Sequence, residues 1–169
     1  MMRATANRPR LHIEPTPTDR VVETAALVGL GFLVVVTALY WPTVPDKIPT
    51  HFGITGKVDA WGPKAALLLL PGIGAATYVV LSIISRFPHT FNYPVPITEQ
   101  NAERQYRIAL AVMRWLKLEC IWLFAYLNWQ TVQVALGKAK GLDVLSMPIA
   151  LAVIGGTLIV LVVKAYRAR

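Results

Sequence analysis

Four stretches without a charged side chain, residues 24–45, 65–85, 120–137 and 144–163, decide most of what this chain can fold into. An α-helix rises about 1.5 Å per residue, so roughly 20 residues cross a hydrocarbon core of about 30 Å. The first, second and fourth stretches reach that length unaided. The third must recruit residues before Cys120, which draws Glu119 towards the membrane. With 55% hydrophobic and 15% charged residues, the 169-residue chain is too apolar for a soluble domain of its size. The expected fold is an all-α integral membrane protein, a four-transmembrane-helix bundle with spans at about 21–41, 65–85, 117–137 and 144–163. An ordered extracytoplasmic loop, 42–64, joins the first two spans.

The net charge of +8 follows topology rather than a nucleic-acid site, and no RNA- or DNA-binding motif is visible. Ten cations fall on segments that share one side: Arg3, Arg8, Arg10, Arg20, Arg86, Arg104, Arg107, Lys164, Arg167 and Arg169. The opposite loops hold five, Lys47, Lys57, Lys64, Lys138 and Lys140. The cation-rich side stays cytoplasmic, so both termini are expected inside, against the lipid bilayer, and the 42–64 loop outside. Residues 1–20, rich in Arg, Pro and Thr, read as a disordered cytoplasmic tail. The first apolar run is too long for a cleaved signal peptide and reads as an anchor. Cys120 is the single cysteine and lies in a span, so no internal disulfide is expected.

Local signals refine the helices. Glu23 falls in the first turn of the first span, where a carboxylate suits the positive end of the helix dipole. Ala25 and Gly29, like Gly155 and Gly156 in the fourth span, permit close helix contact. Such faces suit a homodimer, and a monomer is equally allowed. Pro71 inside the second span predicts a kink. Thr98 is the expected N-cap of an amphipathic helix over 98–117 that runs into the third span without Gly or Pro. Arg104, Arg107, Arg114 and Lys117 share one arc of that helix, opposite Ile108, Val112 and Leu116. They read as a surface for lipid or a cytoplasmic regulator.

The 41–64 stretch, WPTVPDKIPTHFGITGKVDAWGPK, is the part that hydropathy does not explain. Gly53 and Gly56 bracket a turn, so IPTHF and KVDAW are expected to pair as a hairpin. Phe52, Ile54, Val58 and Trp61 are placed to dip into the interface. Asp46, His51 and Asp59 are the grouped candidates for acid–base or metal chemistry. A zinc site takes three or four ligands, and this set lacks the spacing of known zinc motifs. In the structural reading Asp46 and Asp59 pair with Lys47, Lys57 or Lys64 while His51 bonds a backbone group. In the other reading the set binds a ligand.

The loop also resembles the signature of a bacterial membrane family of unknown function, DUF1648, shared with the N-terminal part of SdpI-type toxin-immunity proteins. Pro45, Asp46, Ile48, Pro49, His51, Phe52, Gly56, Asp59, Trp61, Gly62 and Lys64 carry the resemblance. The later stretch NYPVPITEQNAERQYRIALAVMRWLK resembles that family's cytoplasmic linker and helix. The resemblance implies a bacterial cytoplasmic (inner) membrane protein and recognition of an extracellular peptide or toxin. SdpI-type proteins carry further spans and a second domain that has no counterpart in this sequence.

A second candidate is a polar stripe on the third span. Trp115, Glu119, Trp122, Tyr126, Gln130 and Gln133 follow one helix face. Ionisable groups in a span face the bundle interior or a water-filled path. Glu119 either pairs with Lys117, Arg114 or water at the boundary, or is buried against Tyr126 or another span as a proton or cation site. Asn128 and Trp129 read as an interfacial anchor. No nucleophile triad, phosphate loop, haem motif or dinucleotide fingerprint is present, so neither cofactor nor catalytic residue is expected. The leading expectation is a non-enzymatic sensor, immunity or accessory protein. The runner-up is a small proton- or cation-coupled transporter, and a metal hydrolase on Asp46, His51 and Asp59 is the remote alternative.

Overall fold

The computed structural model describes residues 8–169, so Arg3 and the start of the expected tail lie outside the described residues. Thr16 caps the first helix, α1 (Pro17–Tyr40), through a reciprocal box. Its hydroxyl accepts from the Asp19 amide, and the Asp19 carboxylate accepts from the Thr16 amide. Pro17 takes the first helical position, where a missing N–H breaks no bond. Residues 17–20 therefore start α1 rather than end a tail, and Asp19, not Glu23, is the first-turn carboxylate. Residues 8–16 run without helix or strand along the far end of the molecule. Arg8 donates to the carbonyls of His89 and Phe91, and Tyr106 donates to Pro9 O at 3.1 Å.

After α1 the chain turns into an antiparallel hairpin of β1 (Lys47–Phe52) and β2 (Val58–Pro63), the pairing expected from the two glycines. Gly56 adopts φ 76° in its turn, a conformation open to glycine. A 3-10 turn (Lys64–Leu68) leads into α2 (Leu69–Ile84). Pro71 thus lies in the first turn of α2, where amides have no intrahelical acceptor in any case. The expected kink within the span gives way to a change of helix type before it.

The third helix, α3 (Ala102–Ala135), is one continuous element of 34 residues, about 50 Å long. It starts later than expected. Thr98 and Asn101 each accept from the other's backbone amide, and Ala102 N donates to Thr98 O at 2.9 Å, so this turn leads directly into α3. The last helix is α4 (Ser146–Arg167). α1, the Lys64–Ile84 stretch and α4 are long and apolar enough to span a membrane, as in a membrane protein. α3 is less apolar because it is central: it packs against α1, α2 and α4, and it buries Gln105, Lys117, Asn128 and Thr131.

Close approach between α1 and α3 depends on Gly29, where an added Cβ would lie 2.9 Å from Trp122 Nε1. Gly155 and Gly156 have nothing within 4 Å, so α4 makes no comparable small-residue contact. At the hairpin end Val36, Val44, Ile48, Leu67 and Val132 form a buried core, with Tyr40, Trp41, Trp129 and Leu136 packed around it. Asn128 belongs inside this region rather than at an interface: it is 1% exposed and its Nδ2 donates to Thr37 Oγ1 at 2.9 Å.

Candidate functional site

Two buried residues anchor the hairpin and leave its outer face free. Ile48 enters the core and Pro49 is closed off beside it, while Ile54 at the tip is 99% exposed and Trp61 49%. Pro49 pairs with Trp61 and His51 with Ala60, so Thr50 is an extra residue on β1; Phe52 pairs with Val58, so Asp59 is an extra residue on β2. Bulges of this kind re-aim side chains. Here the second one turns Asp59 onto the face of His51, and His51 Nδ1 lies 2.6 Å from Asp59 Oδ1. Asp59 is thus paired with the histidine rather than with a lysine, and His51 with a carboxylate rather than with backbone. Asp46 contributes through its carbonyl, which accepts from Lys64 N at 2.8 Å, and Lys64 Nζ sits 5.1 Å over the Trp41 ring. Pro45 is exposed.

Glycines fix the hairpin against its neighbours. Gly62 faces Thr50, whose methyl lies 2.6 Å from where a Cβ would stand. Gly56 O accepts from Leu142 N at 2.8 Å, and Lys57 bridges to Gly141, so the α3–α4 connection is pinned to the hairpin tip. Beneath β1 opens an apolar groove of about 400 Å³. His51 and Phe52 form its rim, Leu70 and Ile73 of α2 one wall, and Leu127 and Thr131 of α3 the other. Among the described residues no group of three His, Cys, Asp or Glu could hold a metal ion. The arrangement suits an apolar side chain below and a hydrogen-bonding or cationic group at the His51–Asp59 rim.

The polar stripe of α3 is divided: Trp115, Glu119, Trp122 and Tyr126 line one groove with α4, and Gln130 and Gln133 lie outside that lining. Trp122 turns towards α1, donating to Ala25 O at 3.1 Å and stacking on Phe32 at 6.1 Å. Glu119 turns towards α4, where its Oε1 accepts from the Thr157 hydroxyl while Oε2 is buried without a partner. Neither Lys117, Arg114 nor Tyr126 bonds it; Tyr126 OH accepts instead from Gln130 at 3.2 Å. The side-chain amide nitrogen of Gln133 is buried and unpartnered.

The basic arc is divided as well. Arg104 is exposed, and Arg107 donates to Glu103 at 3.0 Å and to Glu14 O at 3.2 Å. Arg114 and Lys117 instead form ion pairs with carboxylates of α1. Lys117 is 2% exposed and its Nζ donates to Glu23 at 2.8 and 3.0 Å and to Ser82 Oγ at 2.8 Å. Tyr78 donates to Glu23 and lies under Lys117 Nζ, 4.5 Å from ring centre to nitrogen. Arg114 pairs with Asp19 at 2.9 Å. Sequence reasoning missed this cluster, although carboxylates four apart on α1 and cations three apart on α3 were its visible signal. A cleft of about 520 Å³ opens beside it, lined by Arg20, Ser85 and the two ion pairs. Outside the spans, burial pushes the Tyr93 phenol up, with Tyr106 adding and Arg8 opposing, so it stays a donor to Pro88 O.

Residues 28–75, which hold the second half of α1, the hairpin and the start of α2, match the family described as Domain of unknown function (DUF1648). An uncharacterized protein of Archaeoglobus fulgidus is 28% identical over 95 residues, covering 50% of this chain and 52% of that protein. The chain therefore spans about half the length of the curated relative it matches. No solved structure matches.

Proposed function

We propose that this chain is a non-enzymatic, four-span protein of the bacterial inner membrane, with both termini cytoplasmic and the hairpin as an outward recognition element. Its role is that of a sensor, immunity or accessory protein for an extracellular peptide. The α3–α4 connection bonds the hairpin at Gly56, so if α1, α2 and α4 cross the bilayer then α3 crosses it too. The described start of the chain, the 85–101 linker and the end of α4 gather at the other end, which by the positive-inside rule is the cytoplasmic one.

The observation that carries the reading is the groove beneath β1, rimmed by His51, which pairs with the exposed Asp59. A peptide would seat an apolar side chain against Leu70 and Ile73 and bond the rim. The test is a photoreactive residue at Phe52 in native membranes, with capture lost when Ile73→Trp fills the groove. Undiminished capture in the filled variant refutes the reading. So does full complementation of a deletion strain's envelope-stress phenotypes by a variant altered at His51, Asp59 and Trp61 together.

A second reading, a small proton- or cation-coupled transporter, is favoured by one observation, the buried and unpartnered Oε2 of Glu119. It predicts that Glu119→Gln abolishes flux in proteoliposomes, and retained flux removes that residue from the path.

A further inference from the structure

We infer that the groove between α3 and α4 is a binding site for a hydrophobic monocation, a molecule with one positive centre on an apolar body, such as a quaternary ammonium or phosphonium. The groove measures about 500 Å³ and is lined by Trp115, Glu119, Trp122, Tyr126, Ile149 and Val153. That volume lies within the range of small-molecule sites, about 300–1,000 Å³. Glu119 brings the only carboxylate, with one hydrogen bond from Thr157 and an oxygen that is buried and unpaired. A buried polar atom without a partner is costly, and a cation offsets that cost.

The protein's own nearby cations are committed elsewhere. Lys117 is held by Glu23 and Arg114 by Asp19, both on the opposite side of α3. Three aromatic residues line the groove at helical spacing from the carboxylate, four residues before it and three and seven after it. Of these, Trp122 already bonds Ala25 O and stacks on Phe32. Indole and phenol faces attract a cation within about 6 Å of the ring centre. Trp115 and Trp122 are 38% and 41% exposed, so both rings retain free surface. The far wall, Ile149 and Val153, is apolar and matches a hydrocarbon or aryl body rather than a hydrated metal ion. Selectivity for a single charge follows from the single carboxylate. α4 packs chiefly on α3, so the groove is bounded by these two helices.

The site is independent of the hairpin reading. It shares Glu119 with the transport reading but requires no translocation. The test uses the full chain in nanodiscs of neutral phosphatidylcholine, with no gradient, and labelled tetraphenylphosphonium in equilibrium dialysis. Saturable binding near one per chain is expected, weakened about tenfold or more by Glu119→Gln and several-fold by Trp115→Leu. Neutral triphenylphosphine should compete about tenfold less well. Equal affinity in wild type and Glu119→Gln overturns the site, as does equal competition by the neutral compound. Should Glu119→Gln unfold the protein, Trp115→Leu decides, and unchanged affinity there overturns the site. Binding without flux upholds the site and dismisses translocation.

Discussion

Glu23 and Glu119 sit at nearly the same level of the bundle, because Glu23 bonds Lys117 and Lys117 is two residues, about 3 Å of rise, from Glu119. They meet opposite sides of α3. On the α1–α2 side the carboxylate is met by an ammonium, a phenol and, through the lysine, a serine hydroxyl. On the α4 side the carboxylate receives one threonine hydroxyl and keeps an unpaired oxygen. A fully satisfied polar cluster fixes two helices against each other, whereas an unsatisfied one leaves an unmet demand for a partner. The first side ties α1 and α2 to α3, and the second is where the proposed cation would bind.

The largest expected effect breaks the satisfied side. Lys117→Met strands Glu23 against α3, and because Glu23 keeps 34% of its side chain exposed the cost is set below that of a fully buried pair, about 2–3 kcal/mol. The double variant with Glu23→Gln should recover part of that loss in a thermal melt in detergent. Strict additivity of the two single changes would show that the pair is not coupled. Next comes Gly29→Val, whose side chain would collide with Trp122 and Ile121. It should cost about 1–3 kcal/mol by forcing α1 from α3. Gly156→Ala, facing open space on α4, should change stability by no more than about 0.5 kcal/mol. If both glycines tolerate substitution equally, α1 and α3 do not pack as closely as described.

Glu119→Gln belongs further down the scale. The amide keeps an oxygen for Thr157 and exchanges one unpartnered polar atom for another, so melting should shift by less than about 1 kcal/mol. The contrast between the two carboxylates fails if Glu119→Gln destabilises as strongly as Lys117→Met.

Sequence alone makes the apolar stretches legible, because roughly 20 uncharged residues admit few other fates. The hairpin is legible too, since Gly53 and Gly56 mark a turn between strand-forming runs. The start of α1 was available in Thr16-Pro17-Thr18-Asp19, a capping box hidden inside an Arg- and Pro-rich segment that reads as a tail. What cannot be read is which faces meet. Lys117 and Glu23 are 94 residues apart, and Glu119 and Thr157 are 38 apart. A helix wheel groups Lys117 with Arg104 and Arg107 as a solvated arc, yet residues of α1 and α2 cover one end of that arc. The same blindness placed Asn128 at an interface, although its partner Thr37 lies across the bundle.

The smallest effect on stability is expected at the hairpin rim. His51 and Asp59 have side chains 68% and 52% exposed, and exposed pairs contribute about 0–1 kcal/mol. His51→Ala and Asp59→Asn should therefore melt within about 0.5 kcal/mol of the parent. Gly56→Ala acts on the same hairpin by another route. It forces a side chain at φ 76° against Leu142 O, and should loosen the attachment to the α3–α4 connection. If both rim variants lose photocapture at Phe52 while their melting stays that of the parent, the pair acts through recognition. A matching loss of melting and capture would make the pair a clasp for the hairpin, and the groove beneath it would lose its claim to a ligand.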